Sequence, residues 1–119
     1  MIVDDMISFI RENDKGNDIF DDKTLREYLE IHIAYNTCNV LYDEDKKIMA
    51  ISRWDAVGDT VHILEVVVRK DCRHKGVLKK LVKMGLDTFP YAKYIEYISF
   101  EREWRKDMKA RKYKIRRFI

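Results

Sequence analysis

The sequence predicts an α+β fold built round a mixed sheet. Three observations predict it: two segments of helical periodicity come before any strand, a group of β-rich runs follows, and one more helical pattern is set between strands. With 119 residues, 46% of them hydrophobic and 12% aromatic, the chain is expected to form one domain over 1–119 with a real core.

The elements follow in order. In "VDDMISFIREN" the residues Val3, Met6, Ile7 and Ile10 recur at helical spacing, and "NDKGND" breaks the pattern. "TLREYLEIHIAY" puts Leu25, Tyr28, Leu29, His32 and Ile33 on one helical face. Thr24 with Glu27 three residues on has the form of a capping box. The period then changes. "TCNVLYDEDKKIMAISRW" holds two β-rich runs flanking Asp43-Glu44-Asp45-Lys46, which reads as a hairpin. "VGDT" makes the next turn. The near-continuous apolar run "VHILEVVVR" fits the centre of a sheet, buried on both faces. Val77, Leu78, Leu81, Val82 and Leu86 mark a third helix that ends near Phe89-Pro90, and "KYIEYISF" is a further strand. The basic segment "EREWRKDMKARKYKIRRFI" follows, with "YKIRRF" as a last strand. Four Gly and one Pro leave no room for a linker.

Charge is divided along the chain. Residues 1–60 carry 14 acids against 7 bases, and residues 61–119 carry 7 acids against 17 bases. A basic half favours an anionic ligand or partner, and the acidic half a cationic one. From Arg102 to Arg117 nine bases and two acids are interspersed with Trp104 and Tyr113, a pattern that also suits nucleic-acid contact, as the lesser expectation. No apolar run reaches the roughly 18 residues of a membrane span, and "MIVDDMISF" lacks a basic leader, so a cytoplasmic protein without membrane partners is expected. Cys38 and Cys72 have no metal-ligand spacing and are expected to be free thiols, with no metal site.

The stretch "LEVVVRKDCRHKGVLKKLV", Leu64 to Val82, carries the chemistry. A strand ending in a basic loop whose glycine opens a helix is suited to phosphate. The first helical N–H groups lack backbone acceptors, the helix dipole favours an anion there, and Gly76 lets the backbone come close. Arg73, His74, Lys75, Lys79 and Lys80 add positive charge.

This stretch resembles the acyl-CoA-binding core of the GNAT N-acetyltransferase superfamily. Arg73 stands in the R/Q place of that family's R/Q-x-x-G-x-G/A pattern, and Gly76 in the place of its first glycine. The second small residue is Leu78 here, and no "GF" turn with two more strands follows the last helix, as in a small, C-terminally truncated member. The resemblance implies a GNAT-like mixed, mostly antiparallel central sheet flanked by helices. It implies that Val66, Val67 and Val68 bind the pantetheine arm of acetyl-CoA. The segment Arg73, His74, Lys75, Gly76, Val77, Leu78 and Lys79 would hold the pyrophosphate. It further implies that "YIEYIS" diverges from the central strand to leave a slot for the thioester, and that the acetyl group passes to a primary amine without metal.

Glu65 falls where many members carry a general base; the plainer expectation is a strand carboxylate paired with a lysine or arginine. Tyr97 and Tyr113 are the expected general acids for the leaving thiolate. His62 could face the slot, although a surface or satisfied histidine is the plainer expectation, and His32, Trp54 and Trp104 are expected to pack. The alternative is a GNAT-fold protein without catalysis, acting through its basic C-terminal face in a viral or other assembly. An unpaired final strand would allow a homodimer.

Overall fold

The structure, a computed structural model, describes residues 2–14, 20–100 and 108–115, with side chains at 2–14, 20–96, 114 and 115. Its elements are α1 (Ile2–Asn13), α2 (Asp22–Ala34), β1 (Cys38–Tyr42), β2 (Ile48–Val57), β3 (Thr60–Val68), a 3-10 turn (Lys70–Cys72), α3 (Val77–Thr88), β4 (Tyr94–Phe100) and β5 (Met108–Lys114). The predicted order of helices and strands is the observed one. None of the described helices is long and apolar enough to cross a membrane.

Two boundaries differ from the sequence expectation. The cap of α2 is Asp21, not Thr24, and the helix starts at Asp22. The Asp21 carboxylate accepts the Thr24 N–H at 2.7 Å, which also holds that carboxyl below its ordinary pKa. The last strand lies at Met108–Lys114, earlier than "YKIRRF", because it pairs with β4 along its whole length, from Tyr94↔Lys114 to Phe100↔Met108. Trp104 and the rest of 101–107 and 116–119, including most of the basic tail, lie outside the described residues.

The five strands lie in the order β1-β2-β3-β4-β5. Three pairings are antiparallel and β3–β4 is parallel, so the sheet is mixed and mostly antiparallel, and the valine-rich β3 is its centre. α1 and α2 cover one face: Val3, Met6, Ile7, Phe9, Ile10, Leu25 and Leu29 pack on Ile51 and Val67. Each such side chain contributes about 1.5–3 kcal/mol by burial. α3 covers the opposite face, with Val77 and Leu81 against Ala50, and Val82 packed with Trp54, Val61 and Ile63. Gly85 in α3 is dictated by Trp54: a Cβ there would lie 2.5 Å from the indole ring. The expectation that Trp54 packs is met, and its Nε1 donates to Ser52 Oγ at 2.8 Å.

The β2–β3 register shifts between Arg53 and Trp54, where Arg53 faces Glu65 and Trp54 faces Ile63. Leu64 is the extra residue, a β-bulge, and it is exposed. Its presence reverses the side-chain alternation of β3. Val61 and Ile63 point to α3 before the bulge; Glu65 and Val67 point to the α1/α2 face after it.

Candidate functional site

β3 and β4 pair in parallel only from Thr60↔Tyr94 to Ile63↔Tyr97. β3 then continues to Val68 and β4 to Phe100 without pairing, so the strands part and β3 turns a backbone edge toward the gap. The expected divergence is therefore present, and Leu64 is the first residue past it.

At the end of β3 lies a cleft of about 440 Å³, lined by Val66, Val67, Val68, Arg73, Gly76 and Leu78 among others. Of the residues expected to hold the cofactor, His74 and Val77 also line it, while Lys75 and Lys79 are exposed and do not. Gly76 is the N-cap of α3 at φ +80°, ψ 8°, and no side chain caps the helix. The first turn also holds no acid, so the amides of Val77, Leu78 and Lys79 are open to a ligand. A Cβ on Gly76 would meet nothing within 4 Å, so glycine is required here by conformation rather than space. His74, at φ +63°, shares that left-handed conformation.

Two features of the cleft were not legible in the sequence. Asn13 and Asp14, at the end of α1, form part of its wall. Arg73, expected on phosphate, instead bridges the wall: Nε donates to Val68 O at 3.1 Å and Nη2 to Asn13 O at 2.9 Å. Nothing in the local sequence signals either, because α1 meets this loop only through the tertiary fold. Leu78 is 53% exposed and lines the cleft.

Glu65 does not line the cleft. It is buried on the α1/α2 face, where Arg53 Nε donates to Oε1 at 3.1 Å and the guanidinium lies 5.6 Å from the Tyr28 ring centre. The backbone of Tyr97 stands opposite Ile63 in the last parallel pair, and that of Tyr113 opposite Ile95 on β5; their side chains lie outside the described set. His32 is half-buried, with Nδ1 2.7 Å from Thr37 Oγ1, and burial pushes its pKa down. Both cysteines are free. Burial raises the Cys38 thiol to about 11, and Cys72 is buried beside Arg69 and Asp71. Among the described residues no group of His, Cys, Asp or Glu could hold a metal.

A second polar array crosses the same face. Asp55 on β2, His62 on β3 and Glu96 on β4 are neighbours in register, with Asp55↔His62 and His62↔Glu96. His62 Nδ1 is 2.9 Å from Asp55 Oδ1 and Nε2 is 3.7 Å from Glu96 Oε1.

No protein-family model and no curated protein matches this sequence. Solved structures do match its fold. A GNAT-like decarboxylase, GphF, in complex with isobutyryl-CoA superposes with a TM-score of 0.67 at 13% identity, over 86% of this chain and 63% of that one. Diaminobutyrate acetyltransferase EctA from Paenibacillus lautus, in complex with L-2,4-diaminobutyric acid and coenzyme A, gives 0.65 at 17%, over 82% and 59%. The PaiA N-acetyltransferase from Thermoplasma acidophilum, in complex with coenzyme A, gives 0.60 at 11%, over 86% and 76%. The chain thus spans less than two thirds of the first two. This chain, with a parallel pair that opens beside a glycine-capped helix, thus has a GNAT-like fold.

Proposed function

We propose that the cleft binds acetyl-CoA and that the protein moves the acetyl group to a primary amine. The observation that carries this reading is the parting of β3 from β4 after Ile63 and Tyr97, beside the uncapped amides at the start of α3. A pantetheine arm is an extended chain of amides, and the edge of β3 not paired with β4 at Val66–Val68, where Val68 O already accepts from Arg73, offers it strand-like hydrogen bonds. The amides of Val77 to Lys79 receive the pyrophosphate, with Lys75, Lys79 and Lys80 raising the local positive potential. Among the described residues no lysine is ion-paired within the chain, so this charge is available to an anion.

The chemistry is a direct transfer. The amine nitrogen attacks the thioester carbon, β3 backbone N–H groups at the bulge stabilise the developing oxyanion, and the C–S bond breaks. Tyr97, at the register position where the strands part, is the tyrosine best placed to return a proton to sulfur; Tyr113 is two residue rows away. Two of the three solved relatives described above carry coenzyme A itself and one an acyl-CoA, which supports the donor; the decarboxylase among them means the fold alone does not choose the reaction.

Calorimetric titration with acetyl-CoA tests the reading. Micromolar binding is expected, and Gly76→Trp, which sets an indole into the cleft, is expected to abolish it while circular dichroism reports the fold intact. Absence of binding at millimolar acetyl-CoA overturns the reading.

A further inference from the structure

Resting on the acyl-transfer reading, the geometry points to His62, held by Asp55, as the group that takes the proton from the acceptor amine, with Glu96 beside it to hold the amine's positive charge. The residue to which the family resemblance gives this task, Glu65, is committed elsewhere. It is buried against the Arg53 guanidinium at 3.1 Å, and accepting a proton there would strand a buried cation. His62 faces no such obstacle.

Three facts place His62 at the reaction. It stands one row before the last parallel pair, Ile63↔Tyr97, after which the strands part. It points to the face opposite α3, since Val61 and Ile63 on either side of it pack with Val82 and Phe89. The bulge at Leu64 brings Glu65 to that face as well, so one polar surface runs from Arg53 and Glu65 to Asp55, His62 and Glu96. The slot opens at the edge of this surface. An acceptor approaching from the α1/α2 side meets His62 there, while the cofactor cleft lies farther along β3, at Val66 to Val68.

The imidazole is set in one tautomer. A carboxylate can only accept, so at 2.9 Å from Asp55 Oδ1 the neutral ring carries its hydrogen on Nδ1 and its lone pair on Nε2. That nitrogen faces Glu96, whose Oε1 is 3.7 Å away, a separation that leaves room for an amine to contact both. Among the described side chains, the charged and titratable groups round the ring are Asp55 from β2 and Glu96 from β4, and the backbone of Lys112 on β5 stands opposite Glu96. Beyond them lies the Arg53–Glu65 pair, and His32 of α2 lies within electrostatic reach of Asp55. His62, Asp55 and Glu96 are all partly exposed, at 28%, 49% and 29% of their side chains, so an acceptor can reach them.

In the step itself the amine lone pair forms the C–N bond to the acetyl carbon and the electron pair of the breaking C–S bond leaves on sulfur. The proton lost by nitrogen goes to His62 Nε2, the resulting imidazolium is flanked by Asp55 and Glu96, and a proton reaches the thiolate to give free thiol. Asp55 acts as a positioning residue through the ring. A primary amine with at least one further positive charge fits a surface carrying two carboxylates beyond the Arg53–Glu65 pair.

The test uses the full chain and three probe amines, spermidine, kanamycin and L-lysine, with thiol release followed across pH. With the best of these, His62→Gln is expected to lower kcat by ~100-fold or more and to flatten the low-pH limb of kcat/KM, with acetyl-CoA affinity unchanged by calorimetry. Asp55→Asn is expected to lower kcat and, because it removes one of the two carboxylates, to raise KM for the acceptor as well. Nitrogen-15 spectra of the histidines supply a readout that needs no acceptor: His62 is expected with its proton on Nδ1, and Asp55→Asn to disturb that preference. Wild-type kcat and pH profile in His62→Gln overturn the assignment, and so does a His62 proton found on Nε2. A wild type that fails to bind acetyl-CoA is a different failure, since it removes the acyl-transfer reading itself.

Discussion

Arg73 and Asn13 lie 60 positions apart in the chain and are joined by a 2.9 Å hydrogen bond from Nη2 to the Asn13 carbonyl oxygen. The cation sits at the C-terminus of α1, where the dipole favours it, and its Nε holds the end of β3 through Val68 O. One side chain thus ties the α1/α2 layer to the loop that opens α3.

Replacing Arg73 should therefore loosen the wall of the cleft. Arg73→Ala is expected to cost about 1 kcal/mol of stability, and Arg73→Lys nearly as much, because an ammonium cannot span both carbonyls. Acetyl-CoA affinity should fall in both. Urea melts and calorimetry together check this; a lysine variant with wild-type stability would show that the bridge does not hold the wall.

Leu78 gives the opposite expectation. It is half-exposed and lines the cleft, so Leu78→Ala should leave the melting point nearly unchanged. Affinity for acetyl-CoA should rise by about fivefold to tenfold, ~1–1.4 kcal/mol, as the side chain no longer narrows the site. Weaker binding in this variant would mean that Leu78 contributes contacts rather than bulk.

The Arg53–Glu65 pair, with 8% and 6% of its side chains exposed, should behave as a buried ion pair. Glu65→Leu or Arg53→Met alone is expected to cost about 3–5 kcal/mol, since each removes one charge of a buried pair, whereas the two together should recover most of the loss. Chemical denaturation of the two singles and the double gives the coupling. Additive losses would show that the pair contributes nothing as a unit.

Acid should weaken the hairpin end of the molecule. Arg69 donates to Asp43 and to Asp71, each at 2.7 Å, and these bonds hold both carboxyls below their ordinary pKa. A carboxyl whose folded pKa lies below its unfolded value contributes stability above the unfolded pKa, and loses it as pH falls through the folded one. Stability should thus begin to drop below about pH 4. Asp43→Asn with Asp71→Asn should flatten that part of the curve, as urea midpoints across the acid range will show. A curve of unchanged slope would place the acid sensitivity elsewhere.

Local chemistry explains which of these features could be read in advance. Gly76 before "VLKKLV" announces a helix start, and three valines announce a central strand, because glycine conformation and strand burial act over a few residues. Thr24 misled because Asp21, one turn earlier, offers its carboxylate to the same helix end. Asn13 and Asp14 carry no signal at all, since a helix end becomes a cleft wall only when another element is laid against it.

The sequence by itself determined the order of the elements, the basic loop with its glycine, and the charge division between the two halves. Periodicity, capping and turn chemistry are short-range effects, and they sufficed for that. Only the tertiary structure decided which side chains meet. Strict alternation along β3 would set His62 and Glu65 on opposite faces. The single extra residue at Leu64 puts both on one face, gives Glu65 to Arg53, and leaves His62 between Asp55 and Glu96. A bulge is a mismatch between two strands, so neither strand's sequence contains it.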